Sequence, residues 1–270
     1  MKHRLTIAAI FKHENPYLRE WIEYHRMVGF DHFYLYDNDG GEEALQILKP
    51  YIEKGLVIRH PWLQFDGTRR DWSTYFSFQD KNHRAFGQAA STYRESFDWV
   101  LKIDIDEFLV PLEGNDLRPI IDRYCADSQI RGIRVPRINF GHSGHIEKPK
   151  GLVIESYTHR ESAASDHKDL ARGEFLSSNN YSSTTHSWSY RLLKRGRTLG
   201  ELEVSDMRIH HYYTKSRDEC LQRQNNMRTR PATEEEFLQQ NRDLNATSDP
   251  EMLRFVPELR ARLGLEELEY

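Results

Sequence analysis

Two carboxylates separated by a single residue are the sharpest chemical signal in the sequence. Asp104 and Asp106 follow an apolar run, residues 99–103, whose length and composition predict a buried β-strand. Carboxylates at this spacing can both reach one hard cation and the phosphates that it carries, and oxygen ligands favour Mg²⁺ or Mn²⁺. Carboxylates at strand ends also commonly close turns, so the pair alone indicates a metal site without establishing it.

A second polar cluster follows an earlier strand-like segment. Asp37, Asn38 and Asp39 come directly after the aromatic residues 32–36. A carboxylate near the centre of a sheet can accept hydrogen bonds from a ribose or a base. The same three residues are typical of an Asx turn before a helix, and their chemistry alone slightly favours that turn.

Histidines and cations occur much further along the chain. His210 and His211 lie in a strand-like segment, where neighbouring side chains point to opposite faces, so only one imidazole can face a shared site. That histidine can be a further manganese ligand, or both can simply pack in an aromatic strand. Lys215 and Arg217 precede a predicted helix whose N-terminus can help to bind a phosphate; the alternative is that both cations are only solvated.

A glycine-rich segment, residues 140–145, lies between these regions. Its two glycines let a ligand approach the backbone, but their spacing matches neither a P-loop nor a dinucleotide-binding fingerprint, and they also fit ordinary turns. His142 and His145 could join His211 in a zinc site. No His-Glu-x-x-His helix or cysteine pair supports such a site, so zinc-dependent hydrolysis is not favoured.

Alternating strands and helices must position these groups in the first half of the chain. Apolar periodicity predicts strands at residues 5–11, 32–36, 56–58 and 99–103, with helices between them that begin at Asn15-Pro16, near residue 44 and near residue 78. Parallel neighbours need crossover connections, so this alternation predicts a mainly parallel sheet with helices on both faces. We expect the polar residues after strands one, two and four to meet at one edge.

The second half of the chain has a different pattern. Short apolar segments separated by polar loops predict strands at residues 133–138, 152–154, 190–193 and 208–212. Residues 158–189 are poor in aliphatic side chains and rich in Ser, Asn and Thr, which predicts a mobile loop of the kind that covers a site. Two capping-box spacings predict closing helices at residues 217–228 and 234–243.

Composition limits the classes of function. The 270 residues are enough for one large domain or two small ones, and 38% hydrophobic with 12% aromatic residues indicate a globular chain. The formal net charge of −4 provides no overall attraction for nucleic acid or anionic lipid. Cys125 and Cys220 cannot form a disulfide scaffold, and no apolar run reaches the length of a membrane span. We therefore expect a soluble cytoplasmic protein, with peripheral membrane contact as an open alternative.

Several segments, taken in order, are similar to a known family. They are residues 11–15, 17–25, 33–38, 104–108, 140–145, 151–155, 211–216 and the tail from residue 241 onward. In this combination the chain resembles the bacterial branch of the glycosyltransferases related to family 92, close to the family 2 type. The resemblance implies an α/β fold of the GT-A type, with a nucleotide-sugar-binding half at residues 1–130 and a smaller α+β acceptor half with the C-terminal helices at residues 131–270. The chain departs from the family pattern at His13, where Asn is more common, and at Gly40, where Ser is.

The resemblance also implies a reaction and its site residues. A sugar would move, with inversion at the anomeric carbon, from a nucleotide-sugar such as a UDP-sugar to a hydroxyl of a glycan, glycolipid or glycoprotein, without nucleic acid as a partner. Asp104, Asp106 and His211 would bind Mn²⁺ or Mg²⁺, with Asp106 the more direct ligand. The nucleotide-sugar would contact Phe11, Lys12, Glu14, Asp37, Asn38, Lys81, Asp104 and Lys215. The sugar or the acceptor would contact Phe140, Gly141, His142, Ser143 and His145.

The general base of this reaction is the least defined group. Residues 158–189 match the family poorly, and the acceptor and the base are expected there. The candidates are Glu174, Asp166 and His186, with Glu161 and Asp169 as further carboxylates. Two other functions fit the same residues: a non-catalytic nucleotide- or carbohydrate-binding module that keeps the fold, and a metal-dependent phosphodiesterase or nucleotidyltransferase, which also uses clustered carboxylates.

Overall fold

The computed structural model describes residues 2–38, 41–62, 72–178, 184–227 and 232–266, with the backbone alone at 72–81 and 225–227. The strands are β1 (His3–Phe11), β2 (His32–Asp37), β3 (Val57–Pro61), β4 (Phe97–Lys102), β5 (Glu107–Pro111), β6 (Ile130–Asn139), β7 (His159–Arg160), β8 (Asp166–Arg172), β9 (Arg197–Leu199), β10 (Met207–His211) and β11 (Thr247–Ser248). The helices are α1 (Leu18–Met27), α2 (Glu42–Glu53), α3 (Trp72–Tyr93), α4 (Arg118–Cys125), α5 (Val153–Ser156), α6 (Arg217–Met227), α7 (Glu234–Asn241) and α8 (Val256–Leu263). Short 3-10 turns lie at Asn15–Tyr17, Gly173–Phe175, Glu201–Glu203 and Glu251–Phe255.

The first half of the sheet is parallel. β1 lies between β2 and β4, β3 continues the sheet beyond β2, and all three pairs are parallel. The helices α1, α2 and α3 lie in the connections between successive strands. Phe11 is in register with Asp37, so the carboxyl ends of β1 and β2 lie side by side. The predicted α/β architecture, with a parallel sheet and helices in its connections, is confirmed in this half.

Helices cover both faces of the parallel half, because alternate residues of β1 enter different cores. Ile7 and Ala9 pack in the cluster that holds Trp21 of α1. Ala8 packs in a second cluster that holds Phe86 of α3. This alternation is the period-2 geometry of a strand, and it explains why a strand buried on both faces reads as a continuous apolar run.

The second half of the sheet is mixed. β8 joins the two halves, since it is antiparallel to both β4 and β6. β6 is parallel to β10 and to β9, and β10 is antiparallel to β5. The order across the sheet is β3-β2-β1-β4-β8-β6-β10-β5, and β7 forms a separate antiparallel pair with β11. The carboxyl ends of β1, β4, β6 and β10 therefore point to one edge.

The mobile loop predicted for residues 158–189 is wrong over β8, which is a central strand. Lys168 and Asp169 interrupt its apolar pattern, yet both side chains are only 1% exposed. A buried charge is tolerated when it is paired. Lys168 forms ion pairs with two carboxylates, and Asp169 accepts a hydrogen bond from the backbone N–H of Trp188 at 2.9 Å.

Two other predicted strands are also wrong. Residues 152–154 lead into the helical turn α5, whose first two N–H groups donate to the buried carboxylate of Glu20 at 2.9 and 3.1 Å. In residues 190–193, Tyr190 forms a single bridge with Leu176, and the chain then makes an exposed turn before β9. Short apolar runs are ambiguous between strand, helix and turn, because their environment is set by distant residues.

The two predicted capping boxes are confirmed. The hydroxyl of Ser216 accepts the N–H of Glu219, whose carboxylate accepts the N–H of Ser216, at 3.3 and 3.2 Å. Thr233 and Glu236 form the same reciprocal pair at 3.2 and 3.1 Å. These contacts start α6 and α7. In the part of the chain that the structure describes, no helix combines the length and the apolar character needed to cross a bilayer.

Candidate active site

Loops that follow four strands meet at one edge of the sheet. At the end of β10, His211 lies with Nε2 at 3.5 Å from Oδ1 of Asp106, which follows β4. The same ring contacts Asn139 at the end of β6. Beyond β10, Nζ of Lys215 lies 3.9 Å from Oε1 of Glu14, in the loop after β1. The structure thus brings together four residues that the sequence singled out, at the edge where open α/β sheets bind ligands.

Asp106 is a buried carboxylate at this edge, with 8% of the residue exposed. Its oxygens lie 3.5 Å from Nε2 of His211 and 3.5 Å from Nη1 of Arg223 in α6. Burial alone would raise the pKa of this carboxyl, but His211, Lys215 and Arg223 together hold the pKa of Asp106 below its usual value. Asp106 is therefore ionised throughout the physiological pH range.

A neighbouring amide sets the orientation of His211. Nδ1 of His211 donates a hydrogen bond to Oδ1 of Asn139 at 2.7 Å, so in the neutral ring the lone pair is on Nε2, the atom that faces Asp106. His210 points to the opposite face, where its Nε2 accepts a hydrogen bond from Nε of Arg208 at 2.7 Å. The prediction that one of the two adjacent histidines faces the shared edge is confirmed.

Asp104 is engaged by a buried lysine. Its Oδ2 accepts a hydrogen bond from Nζ of Lys168 at 2.7 Å, and its side chain is 38% exposed, so the carboxylate remains open to solvent. Among the described residues, no three His, Cys, Asp or Glu side chains are placed to hold one metal ion. Asp104, Asp106 and His211 therefore do not form a closed three-ligand centre in this structure.

Glu107 supports the carboxylate pair from within the protein. Its side chain is fully buried, one oxygen accepts a hydrogen bond from Nη1 of Arg137 at 3.0 Å, and the other lies 3.0 Å from Nζ of Lys168. Burial alone would raise the pKa of Glu107, but Lys168 and Arg137 are among the charges that lower it. Its backbone carbonyl accepts the indole N–H of Trp21 at 2.9 Å. Contacts to α1, β6 and β8 thus fix the turn that carries the carboxylate pair.

Lys215 and Glu14 lie next to each other at this edge. Lys215 is buried, and its Nζ lies 3.8 Å from the centre of the Tyr17 ring. Burial raises the pKa of Glu14 to about 8; Lys215 opposes this rise, and the charge of Asp106 adds to it. Glu14 is therefore partly protonated near neutral pH, and its charge depends on the groups around it.

Backbone strain among the described residues collects in the loops at this edge. The non-glycine residues with φ in the left-handed region are His13 at 58°, Ser143 at 49° and Lys215 at 54°. They follow β1, β6 and β10. Each such residue costs about 1–3 kcal/mol and persists because its surroundings hold it, a feature that is common at functional sites.

The residues predicted to hold the nucleoside surround the end of β2. The carboxylate of Asp37 is fully buried, and its Oδ2 lies 2.8 Å from Nε and 2.6 Å from Nη2 of Arg59 on β3. The N–H of Asn38 donates to the carbonyl of Phe11 at 2.9 Å. The side chain of Phe11 packs in the main core, so it presents almost no surface to a ligand, which corrects its assignment as a pocket residue.

Three further predictions for this region have different outcomes. Lys12 is exposed at the start of the loop after β1, where a ligand can reach it. Asp39 lies outside the described residues, as does the side chain of Lys81 in α3. At the end of β2 the structure therefore places Asn38 beside the ion pair between Asp37 and Arg59.

The predicted sugar or acceptor loop after β6 is anchored by its own residues. Phe140 is fully buried, and its N–H donates to the carbonyl of His211 at 2.8 Å. A Cβ atom on Gly141 would come within 2.5 Å of Oδ1 of Asn245, which also accepts the N–H of Ser143 at 2.8 Å. Phe140 and Gly141 therefore serve in packing, because neither offers a side-chain surface to a ligand.

The two histidines of the same loop tie it to other elements. Nε2 of His145 donates to the carbonyl of Ser156 at 2.9 Å, and the backbone carbonyl of His145 accepts the N–H of Arg217 at the start of α6, at 3.1 Å. His142 is half-buried, and its ring centre lies 5.3 Å from that of Phe237 in α7. The loop thus links β6 to the C-terminal helices beside the site.

Two of the three candidate bases lie at the site edge and contact each other. Nδ1 of His186 lies 2.8 Å from Oδ2 of Asp166, and the same oxygen accepts a hydrogen bond from Nη2 of Arg137 at 3.1 Å. Because Arg137 also contacts Glu107, the pair of Asp166 and His186 is connected to the carboxylate cluster, which consists of Asp104, Asp106 and Glu107. Burial lowers the pKa of His186, and Lys168 contributes to the shift, so the ring is neutral at pH 7.

Glu174 lies at the opposite edge of the sheet, which corrects its prediction as a base. Trp99 at the start of β4 is in register with Arg172 at the end of β8, and Glu174 comes after Arg172. Asp104 lies beyond the other end of β4. Glu174 is exposed and forms an ion pair with Lys194, so it cannot reach the site.

A buried lysine holds the segment that carries His186. Nζ of Lys102 donates to the carbonyls of Thr184 and Ser187 at 2.7 and 3.0 Å. The ammonium also lies 4.3 Å from the centre of the Trp188 ring. These contacts fix the backbone on both sides of His186.

The other two carboxylates considered as bases have internal partners. Asp169 is buried against the backbone of Trp188. Oε1 of Glu161 accepts the N–H of Asn139 at 2.7 Å and the hydroxyl of Ser165 at 2.9 Å. Both therefore stabilise the strands next to the site.

Sequence reasoning missed four residues that complete the site. They are Arg137, Asn139, Lys168 and Arg223. Arg137 and Asn139 lie at alternate positions at the end of β6. Both could have been identified from the sequence, because they are polar residues at the end of a predicted strand. Arg223 lies inside a helix, and nothing local in the sequence distinguishes it from a solvated arginine.

Comparison with known proteins adds independent evidence. The sequence model of glycosyltransferase family 92 matches residues 4–248. A glycosyltransferase family 92 protein of Oryza sativa subsp. japonica is 28% identical over 213 residues, which are 78% of this chain and 33% of that protein. Galactan beta-1,4-galactosyltransferase GALS3 of Arabidopsis thaliana is 28% identical over 221 residues, which are 78% of this chain and 41% of that protein.

Two facts set the scope of these similarities. The chain spans between 33% and 41% of the length of these two relatives. Among solved structures, TarS of S. aureus has a TM-score of 0.41 at 11% identity, over 78% of this chain and 37% of that chain, which is too distant to establish a shared fold. The family match, by contrast, covers nearly the whole chain, including every loop of the site. The chain therefore belongs to glycosyltransferase family 92.

Proposed function

We propose that the chain is a metal-dependent glycosyltransferase that moves a sugar from a UDP-sugar to a hydroxyl group of a glycan, with inversion at the anomeric carbon. Family membership supports the type of reaction. The observation that carries the proposal is the meeting of Asp106, His211 and Lys215 at the carboxyl edge of the sheet. The name of the Arabidopsis relative makes UDP-galactose and a galactan the first donor and acceptor to test.

The cations at this edge suit a nucleoside diphosphate. Arg223 and Lys215 supply a guanidinium and an ammonium, which bind phosphate oxygens through charge-assisted hydrogen bonds. The face of the Tyr17 ring holds the ammonium of Lys215, and the hydroxyl of Tyr17 donates to the carboxylate of Glu219 at the start of α6. Lys215 is therefore held in place before the diphosphate binds.

The groups around Asp106 fit a divalent cation. Asp106 offers a carboxylate oxygen, and His211 offers the lone pair of Nε2. Mg²⁺ and Mn²⁺ are commonly held by one or two protein side chains, while phosphate oxygens and waters provide the other ligands. Asp104 has an open carboxylate two residues away. When bound here, the cation would supply positive charge that stabilises the departing diphosphate.

The pair formed by Asp166 and His186 can act as the general base. Asp166 holds Nδ1 of the neutral ring, so Nε2 is the atom that takes the proton of the acceptor hydroxyl. The hydroxyl oxygen forms a bond to the anomeric carbon while the bond from that carbon to the phosphate oxygen breaks. The diphosphate leaves with the bonding electrons, and this single displacement inverts the anomeric carbon.

A transfer assay tests the proposal. The purified chain is mixed with individual UDP-sugars, Mn²⁺ and glycan acceptors, and released UDP is measured together with the anomeric configuration of the product. We expect UDP release that depends on the acceptor, and a product with inverted configuration. Binding without turnover for every pair of substrates, or cleavage between the two phosphates as read by mass spectrometry, would contradict the proposal.

Replacing His186 by glutamine tests the assignment of the base. Loss of a general base lowers kcat about 100- to 10,000-fold, while the affinity for UDP should not change. Burial holds the pKa of His186 below the usual value of a histidine, so the wild-type rate should be constant near neutral pH. It should fall only at more acidic pH, where protonation removes the lone pair on Nε2. His186→Gln should lack this acidic limb. His3→Gln, at the start of β1, is the control; a wild-type kcat and pH profile in His186→Gln would refute the assignment.

Replacing Lys215 or Arg223 by methionine tests the diphosphate contacts. Each change removes a hydrogen bond to a charged group that is worth about 1.5–3 kcal/mol, so the Kd for UDP should rise about 10- to 100-fold in calorimetric titration. Lys148→Met is a matched control, because Lys148 also lies over the Tyr17 ring, at 4.3 Å, but is exposed. An unchanged Kd in both site variants would show that the diphosphate binds elsewhere.

A further inference from the structure

The turn that precedes β9 exposes two leucines next to each other. Leu192 and Leu193 are each 99% exposed, at the tip of a turn closed by a hydrogen bond from the N–H of Lys194 to the carbonyl of Arg191 at 3.3 Å. Single exposed leucines are ordinary on protein surfaces. Two adjacent leucines that both extend fully into solvent form a compact apolar tip.

Cations surround this tip. Residues 190–200 contain Arg191, Lys194, Arg195 and Arg197 and no carboxylate, in a chain whose net charge is −4. Lys194 is paired with Glu174, and Arg197 is paired with Asp127. For Arg191 and Arg195, the structure of the described residues contains no ion pair. Two full positive charges thus flank the two leucines.

The turn lies at the edge of the sheet opposite the candidate active site. β9 runs beside the start of β6, with Thr198 in register with Gly132, whereas the site lies at the end of β6. The N–H of Arg191 donates to the carbonyl of Phe175, in the 3-10 turn that follows β8 at the same far edge. The leucine tip and the carboxylate cluster therefore face in opposite directions.

We propose that this turn docks the protein on the anionic surface of a lipid bilayer. Leu192 and Leu193 enter the boundary between headgroups and acyl chains, and Arg191 and Arg195 bind anionic headgroups. Apolar side chains that enter this boundary together with basic residues that contact anionic lipid are the two contributions that hold peripheral proteins on membranes. Neither contribution uses the acidic site, so the proposal is independent of the sugar-transfer reaction.

The shape and charge of the tip favour a bilayer over a protein partner. A two-residue tip on a convex turn offers much less area than the roughly 1,200–2,000 Å² that a stable protein interface buries. A bilayer accepts such a tip without a complementary pocket. Binding through this turn leaves the site edge facing the aqueous phase, where a donor and a glycan chain can reach it.

Vesicle flotation tests the proposal with the whole chain. The vesicles contain phosphatidylcholine alone or phosphatidylcholine with phosphatidylglycerol. The wild type should float with the anionic vesicles, and high salt should release it, because the headgroup contacts are screened. Leu192→Ser/Leu193→Ser and Arg191→Gln/Arg195→Gln should each lower the bound fraction about tenfold or more.

A matched leucine provides the control. Leu202 is 98% exposed but lies between Glu201 and Glu203, so Leu202→Ser should bind vesicles as the wild type does. Turnover of a soluble acceptor should be equal in all four proteins, which separates this proposal from the proposed reaction. The proposal is overturned if the wild type does not float with anionic vesicles, if the double-leucine variant floats equally well, or if that variant instead converts a dimer to a monomer in analytical ultracentrifugation.

Discussion

Asp106→Asn is expected to lower the rate of sugar transfer about 1,000-fold, because Asp106 would hold the cation that stabilises the departing diphosphate, and its loss would remove several kcal/mol of transition-state stabilisation. The substitution keeps the shape of the side chain but deletes the charge that faces His211 and Arg223. The measurement is kcat with saturating UDP-sugar and Mn²⁺. The circular dichroism spectrum should be unchanged, so that loss of rate is not loss of fold.

The control for this prediction is a carboxylate at the other end of the same strand. Asp98 is exposed and pairs with Lys2 at 2.6 Å, near the start of β4 and away from the site. Asp98→Asn should keep the wild-type rate. If Asp106→Asn transferred sugar at a rate within a few-fold of the wild type, Asp106 would have no role in holding the proposed cation.

Glu107→Gln is expected to lower the free energy of unfolding by about 3–5 kcal/mol, because it leaves two buried cations without their shared partner. Glu107 is fully buried between Arg137 and Lys168, and the substitution removes its charge at nearly constant volume. Denaturant unfolding at neutral pH measures the change. Lys168 and Arg137 keep Asp104 and Asp166 as partners, but the effect is large because the buried cluster then has one negative charge fewer for the same two cations.

An exposed ion pair gives the matched control for Glu107. Glu113 contacts Arg123 at 2.8 Å, with 62% and 51% of the two side chains exposed. Glu113→Gln should change the free energy of unfolding by less than about 1 kcal/mol, since exposed ion pairs contribute little. Equal free energies of unfolding for Glu107→Gln and Glu113→Gln would contradict this prediction. They would mean that the ion pairs of Glu107 with Arg137 and Lys168 do not stabilise the fold.

The parallel half of the fold could be predicted because its signals are local. The segment at residues 99–103 is apolar except for Lys102, and the helices between strands have periodic apolar faces. Once the strand ends were predicted, the rule that ligands bind at the carboxyl edge was enough to group Glu14, Asp37 and Asp106. His211 and Lys215 joined this group only through the resemblance to the family. Their contacts in the structure agree with that grouping.

The remaining elements could not be predicted because their stability depends on residues far along the chain. β8 contains Lys168, whose burial is tolerated because Asp104, 64 residues earlier, accepts its hydrogen bond and Glu107 also pairs with it. A single sequence does not reveal that pairing, so the segment reads as a polar loop. Glu174 was a reasonable base by residue type alone, but the antiparallel direction of β8 carries it to the wrong edge.

A crystal structure of the complex with UDP and Mn²⁺ tests the central claim most directly. The account predicts that the diphosphate lies between Asp106 and Lys215, with the ion in contact with Asp106 and His211 and the uridine near the end of β2. A nucleotide bound at any other place on the protein, or an ion that avoids Asp106 in that complex, would contradict it.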